Sequence, residues 1–111
     1  MKPREAKDRY LNRRSADSTA QTLDGWFYRL KLFVEWCEDL NIETVGDLRR
    51  FDLDQYYEKR SQDVSPVTLE GEMWTLKSFC EFLEDLGAAE DGLADAVRIP
   101  DLDPEQRSSD V

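Results

Sequence analysis

Hydrophobic residues recur along two stretches of the chain at intervals of alternately four and three residues. The stretches cover about residues 19–40 and residues 66–86. Because a helix has about 3.6 residues per turn, this spacing places the apolar residues of each stretch on one helix face. The predicted buried face of the first helix is Leu23, Phe27, Leu30, Val34 and Cys37, widened by Trp26, Phe33 and Leu40. That of the second is Leu69, Met73, Leu76, Cys80 and Leu83.

The two stretches are copies of one another. When residues 22–40 are aligned with residues 68–86, a shift of 46 positions, 10 of the 19 aligned pairs are identical. An internal repeat of this kind indicates two long helices of the same design. Two copies are too few for a solenoid, so we expect a bundle with pseudo-symmetry.

Capping residues predict where the two long helices begin and end. Ser18 or Thr19 can cap the first and Ser65 the second, since a hydroxyl accepts a hydrogen bond from a free backbone amide. Asn41 and Gly87 are suited to the left-handed conformation that stops a helix.

Three shorter helical segments and a turn complete the pattern. A charged helix is predicted over residues 3–14, a turn over 44–50, a helix capped by Asp52 over 52–62, and a short helix over 92–97. No strand pattern is present, so the sequence predicts an all-α fold, a compact bundle of four main helices. We expect residues 1–17 to form a basic, partly helical arm, residues 18–99 the domain, and residues 100–111 a disordered tail.

Composition excludes several kinds of chemistry. The 111 residues suffice for one domain, and they include no histidine and two cysteines, both on predicted buried faces. Histidine-based catalysis is therefore excluded, the ligands of a zinc site are lacking, and no cofactor is predicted. No apolar run approaches 18 residues and the N-terminus is charged, so we expect no membrane contact and a cytoplasmic location.

The chain is strongly acidic, with 25 Asp and Glu against 15 Lys and Arg and a net charge of −10. Acidity with few lysines is typical of proteins from halophilic archaea, which work in molar salt. At 1 M salt the screening length is about 3 Å, so the negative total does not exclude nucleic acid as a partner. Residues 1–17 carry a net charge of +3, and this segment either reaches phosphates or is a solvated N-terminus.

One flank of each long helix lacks acidic residues. The two flanks consist of Thr22, Gly25 and Arg29 in the first helix, and Thr68, Gly71, Thr75 and Ser78 in the second. Both begin at a helix N-terminus, where free amides and the helix dipole favour an anion. Alternatively, the small residues let the two helices cross closely. The other flanks carry paired carboxylates such as Glu38 and Asp39, which we interpret as a solvated face.

The order of these motifs resembles the N-terminal SAM-like, core-binding domain of phage integrases (tyrosine recombinases), over about residues 19–100. The resemblance rests on Thr22, Leu30, Phe33, Trp36, Cys37, Phe51, Asp52, Leu53, Tyr56, Tyr57, Ser65, Thr68, Leu76, Lys77, Phe79 and Pro100. It implies a SAM-like orthogonal bundle that clamps duplex DNA near the crossover site. In that family the N-terminal halves of the two long helices face the major groove.

Carried over to this chain, the resemblance selects a set of DNA-binding residues. They are Thr22, Gly25, Ser65, Val67, Thr68 and Gly71, to which position on the helical wheel adds Arg29 and Thr75. Glycine at both 25 and 71 favours contacts to the DNA backbone and shape over base reading.

The resemblance also implies that this chain does not cut DNA, because the family's catalytic residues belong to a second domain that is not in this sequence. We expect a fragment of a longer recombinase, with residues 98–100 beginning the linker. The expected partners are duplex DNA, the catalytic domain of the same polypeptide and other protomers on DNA; the isolated domain is expected to be monomeric. Two alternatives remain: a SAM-like protein-binding adaptor using Trp36 and Trp74, and a stand-alone regulator that occupies recombination sites without cleaving them.

Overall fold

Four α-helices account for most of the fold in a computed structural model, which describes residues 1–102. The helices are α1 (Pro3–Ser15), α2 (Ala20–Asp39), α3 (Arg50–Asp63) and α4 (Pro66–Asp85), with short 3-10 turns at Val45–Asp47 and Ala94–Ala96. No strand occurs in this described part, so the all-α prediction is confirmed. Residues 103–111, which include most of the predicted tail, lie outside it. None of the helices in residues 1–102 is both long and apolar enough to cross a membrane.

The long helices begin and end where their capping residues predict. Thr19 caps α2 and Ser65 caps α4, each accepting a hydrogen bond from the backbone amide three residues later. After α2, Asn41 adopts a positive φ of 60°, and after α4, Gly87 adopts a φ of 69°. The repeat in the sequence is therefore a repeat in structure, from cap to stop.

Helix α4 is the centre of the core, because it packs against α1, α2, α3 and the Ala94–Ala96 turn. All five residues of its predicted buried face are buried. In α2 the prediction is partly wrong, since Phe27 is 46% exposed and Leu40 is 51% exposed. The Phe27 ring lies under the ammonium group of Lys7, 4.4 Å from the ring centroid, at the edge of the bundle.

Helix α1 packs into the core. Ala6 and Tyr10 are fully buried, and the Tyr10 ring makes edge-on contacts with Phe79 and Phe82, at centroid distances of 5.7 Å and 5.6 Å. Such aromatic pairs contribute beyond the area they bury. The segment that the charge pattern sets apart as an arm is thus helical and anchored on α4.

Helix α3 begins two residues earlier than its capping signal predicts. Asp52 is its third residue, and the Asp52 carboxylate accepts a hydrogen bond from the Arg49 amide at 2.9 Å. The prediction that Asp52 is the N-cap is therefore wrong, although the carboxylate still caps the helix by reaching back. The helix is fixed to α4 by Arg60, whose Nε and Nη2 donate to the two Glu72 carboxylate oxygens at 2.8 Å and 3.0 Å.

Candidate nucleic-acid interface

The N-terminal ends of α2 and α4 have the same local geometry. The Thr19 hydroxyl accepts from the Thr22 amide at 3.2 Å and donates to the Thr22 hydroxyl at 2.9 Å. The Ser65 hydroxyl does the same with Thr68, at 3.3 Å and 3.1 Å. Because these bonds are local, each helix presents an exposed threonine one turn from its start. A cap satisfies one amide of the first turn, and in α4 the first helical residue is Pro66, which has no amide hydrogen.

The two glycines of the predicted site have different surroundings. At Gly25 a Cβ atom would meet nothing within 4 Å, so the backbone there is open to a ligand. At Gly71 a Cβ atom would lie 2.9 Å from Nη2 of Arg29. The guanidinium of Arg29 therefore reaches across from α2 and lies against the backbone of α4. A larger residue at position 71 would displace the guanidinium from this place.

Thr75 lies beneath Arg29 and is buried, with 4% of its surface exposed. Nη1 of Arg29 donates to the Thr75 hydroxyl at 3.1 Å, and that hydroxyl donates to the Gly71 carbonyl at 3.1 Å. The structure thus joins Arg29, Gly71 and Thr75 where the two helices cross. In this arrangement Thr75 positions Arg29 and offers little surface of its own.

The remaining predicted residues lie along the starts of the two helices. Thr22 and Thr68 are exposed, while Ser65 and Val67 are half-buried in the first turn of α4. Together with Gly25, Arg29 and Gly71, they form a surface without a carboxylate among its own side chains. We call this set of seven residues the α2–α4 surface.

Sequence reasoning missed two residues beside the α2–α4 surface, Arg14 and Trp26. Nη2 of Arg14 donates to the Ser78 hydroxyl at 2.8 Å, and the guanidinium lies 5.4 Å from the centroid of the Trp26 ring. Trp26 is half-buried one turn after Thr22. The positive end of α1 was visible in the sequence, but its position over α4 depends on packing between distant segments.

The groups that could carry other chemistry are occupied. Glu38 binds Arg4, with Nη2–Oε1 at 2.8 Å, and this hydrogen bond lowers the pKa of the Glu38 carboxyl. Burial raises the pKa of the Cys37 thiol to about 12 and also raises that of Cys80, so both stay protonated at neutral pH. Within residues 1–102, no group of three potential ligands could hold a metal ion.

The comparisons with known proteins agree with this architecture. No family model matches the chain, and no curated protein matches it. Among solved structures, the chain is similar to the crystal structure of the N-terminal domain of a phage integrase/site-specific recombinase from Haloarcula marismortui. The two are 42% identical with a TM-score of 0.86, over 90% of this chain and 97% of the other. The chain therefore belongs to the family of phage integrase/site-specific recombinase N-terminal domains.

Proposed function

We propose that this domain is the non-catalytic, core-binding part of a site-specific tyrosine recombinase and that it clamps duplex DNA near the crossover site. The α2–α4 surface faces the duplex. The observation that carries the proposal is the local charge: in a chain of net charge −10, the first turns of both long helices lack an acidic residue, and Arg29 of α2 binds Thr75 of α4.

The physics of the α2–α4 surface fits a phosphate backbone. Free amides and the positive end of the helix dipole favour an anion at each helix start. The open backbone at Gly25 lets a phosphate or a sugar approach closely. Small side chains at 22, 25, 68 and 71 give few base-specific donors, so binding depends on the DNA backbone and shape.

The proposal has consequences for partners and location. Strand cleavage and joining belong to a catalytic domain of the same parent polypeptide, and several protomers assemble on one recombination site. Such a protein acts at the nucleoid in the cytoplasm, and the domain alone is monomeric. The composition is rich in acidic residues and poor in lysine, which supports function in molar salt.

Titration of labelled protein with duplex DNA by NMR tests the proposal. We expect chemical-shift changes confined to residues 19–29 and 65–75. They should be smaller at higher salt, because the release of counterions from the phosphates then favours binding less. Binding by this half-clamp is expected to be weak, about micromolar or poorer.

Two substitutions sharpen this test. Gly25→Glu introduces a carboxylate where a side chain meets no obstacle, and Gly71→Glu introduces one beside Arg29, which can move aside. Both are expected to keep the fold and to abolish the DNA-induced shifts. Gln55→Glu adds the same charge at an exposed position of α3 and should leave them unchanged. Undiminished binding by both glycine variants would contradict the assigned surface.

A protein-binding role is the second candidate. Trp74 is 54% exposed on α4 and Phe51 is 67% exposed on α3, and exposed aromatic residues are common anchors of protein interfaces. DNA titration that produces no shifts, together with shifts at Trp74 on addition of a partner protein, would favour this role over DNA binding.

A further inference from the structure

Two arginines from different helices are held side by side on α4. Arg29 of α2 donates to Thr75 at 3.1 Å, and Arg14 of α1 donates to Ser78 at 2.8 Å. The two hydroxyl acceptors are three residues apart on one helix, so they are neighbours on the same face. Each arginine is half-buried, and its hydrogen bond limits the freedom of its side chain.

Both arginines have neutral partners. Within residues 1–102, neither Arg14 nor Arg29 forms an ion pair, whereas Arg4, Arg60 and Arg98 each bind a carboxylate. Three arginines in residues 1–102 are half-buried, Arg14, Arg29 and Arg60, and of these only Arg60 binds a carboxylate. Two neighbouring cations without an anion repel one another, and an anionic ligand would relieve that repulsion.

The two arginines retain the donors that phosphate recognition needs. A guanidinium has five N–H donors, and each of these arginines uses one of them on its hydroxyl acceptor. The Arg14 guanidinium also lies 4.9 Å from the Tyr10 ring centroid and 5.4 Å from that of Trp26, which orient its plane. A preorganised planar fork binds phosphate oxygens in pairs and loses little entropy when it does so.

We propose that Arg14 and Arg29 together grip the phosphodiester backbone of duplex DNA, so that α1 is part of the interface. This inference rests on the proposed function and adds α1 to a surface otherwise built from α2 and α4. Ser78 and Thr75 are positioning residues, since each accepts a hydrogen bond from one guanidinium and the two hydroxyls are three residues apart on α4. Arg14 and Arg29 contact phosphates and therefore contribute affinity that is independent of base sequence.

Salt dependence of DNA binding tests the inference on the full chain. The affinity of wild type, Arg14→Gln, Arg29→Gln and the double variant for a labelled duplex is measured by fluorescence anisotropy at a series of salt concentrations. Each lost phosphate contact is expected to reduce the slope of log affinity against log salt by about 0.9, and the double variant by about twice that. Arg14→Lys keeps the charge, so it should restore the slope while binding more weakly than wild type.

Arg4→Gln is the matched control, since it removes an α1 arginine that already binds Glu38 at 2.8 Å. Its slope should equal that of wild type. Thermal melting of each variant identifies any that fails to fold. If Arg14→Gln does not fold, Arg14→Lys replaces it, and the expected result is then weaker binding at an unchanged slope. If the wild type binds and the folded glutamine variants keep its slope and affinity, the inference is overturned while the proposed function stands. If the wild type binds no duplex at any salt concentration, the proposed function itself fails.

Discussion

At the scale of single residues, equivalent positions of the repeat differ in burial. Phe27 and Met73 occupy the same register, 46 positions apart, yet Phe27 is 46% exposed and Met73 is 1% exposed. The difference arises because α4 packs against three helices and a turn, whereas the residues of α2 before Leu30 are all exposed or half-buried. The same face therefore packs fully in one copy and only partly in the other.

Another repeated residue, Glu84, connects α4 to the C-terminal turn. Its carboxylate accepts hydrogen bonds from the Ala94 amide at 2.8 Å and the Gly92 amide at 2.7 Å. These bonds, that from Ala94 first, lower the pKa of the Glu84 carboxyl. Its counterpart in α2, Glu38, binds the Arg4 side chain instead. One position thus serves two different anchoring roles.

Replacement of Glu84 by Gln is expected to lower the free energy of unfolding by about 1 kcal/mol at pH 7. A carboxyl whose pKa is lowered by folding stabilises the protein fully above its unfolded-state pKa, and this contribution is lost as the pH falls through the folded-state pKa. The difference between wild type and variant should therefore shrink in acid. Urea unfolding at a series of pH values measures it, with Glu81→Gln as an exposed control on the same helix. A difference that stays constant down to about pH 2 would contradict the assignment.

At the scale of elements, one ion pair fixes α3 against α4. Arg60 and Glu72 form a two-bond fork, and the Glu72 side chain is 6% exposed. A buried pair of this kind contributes little compared with apolar packing, but removal of one partner leaves a buried charge. By contrast, Arg98 binds Asp54 and Glu58 at the exposed surface, with 53% of its side chain accessible.

Glu72→Ala is expected to lower the free energy of unfolding by about 3 kcal/mol, at the lower end for a broken buried pair, because Arg60 keeps its ion pair with Asp63 at 3.6 Å. Arg98→Gln should cost less than about 1 kcal/mol. Chemical denaturation of both variants gives the comparison. Equal losses would show that burial does not distinguish the two pairs. The double variant Arg60→Met with Glu72→Met should recover much of the loss, since no charge is left unpaired.

Local signals predicted the boundaries of the two long helices, whereas the start of α3 was misplaced because Asp52 caps from the third helical position. The caps Thr19 and Ser65 and the stops Asn41 and Gly87 act through bonds within a few residues, and the structure places them as expected. The burial of Tyr10 depends on which helices meet, and that is not encoded in the period of one helix.

The same limit applies to the candidate site. The acid-free flanks are visible in the sequence, and so are both glycines. The crossing of α2 and α4 places Arg29 across Gly71 and over Thr75. Arg14 joins them because α1 docks on α4, although the charge pattern sets α1 apart as a separate arm.

At the scale of the whole molecule, charge is the dominant feature. A net charge of −10 is spread over a body of about 40 × 33 × 24 Å. In dilute salt the screening length of about 30 Å is comparable to these dimensions, so carboxylates on opposite sides repel one another. The repeat places one unfavourable charge arrangement in both long helices. Each ends on an aspartate, Asp39 in α2 and Asp85 in α4, four residues after a glutamate.

Removal of both terminal aspartates is therefore expected to stabilise the protein in dilute salt. An aspartate in the last turn opposes the helix dipole and repels the glutamate four residues before it, so Asp39→Asn with Asp85→Asn should raise the free energy of unfolding by about 1 kcal/mol. At about 1 M KCl the gain should largely vanish because the screening length falls to about 3 Å, while the wild type itself becomes more stable.

Thermal melting of wild type and the double variant across KCl concentrations measures both effects. Asp24→Asn is the control, since it removes one exposed carboxylate of α2 that lies outside the last turn. Because Asp24→Asn removes one charge and the double variant removes two, half of the double variant's gain from Asp24→Asn would attribute the effect to net charge alone. A gain that persists in molar KCl would show that the aspartates destabilise the helices by a route other than electrostatics.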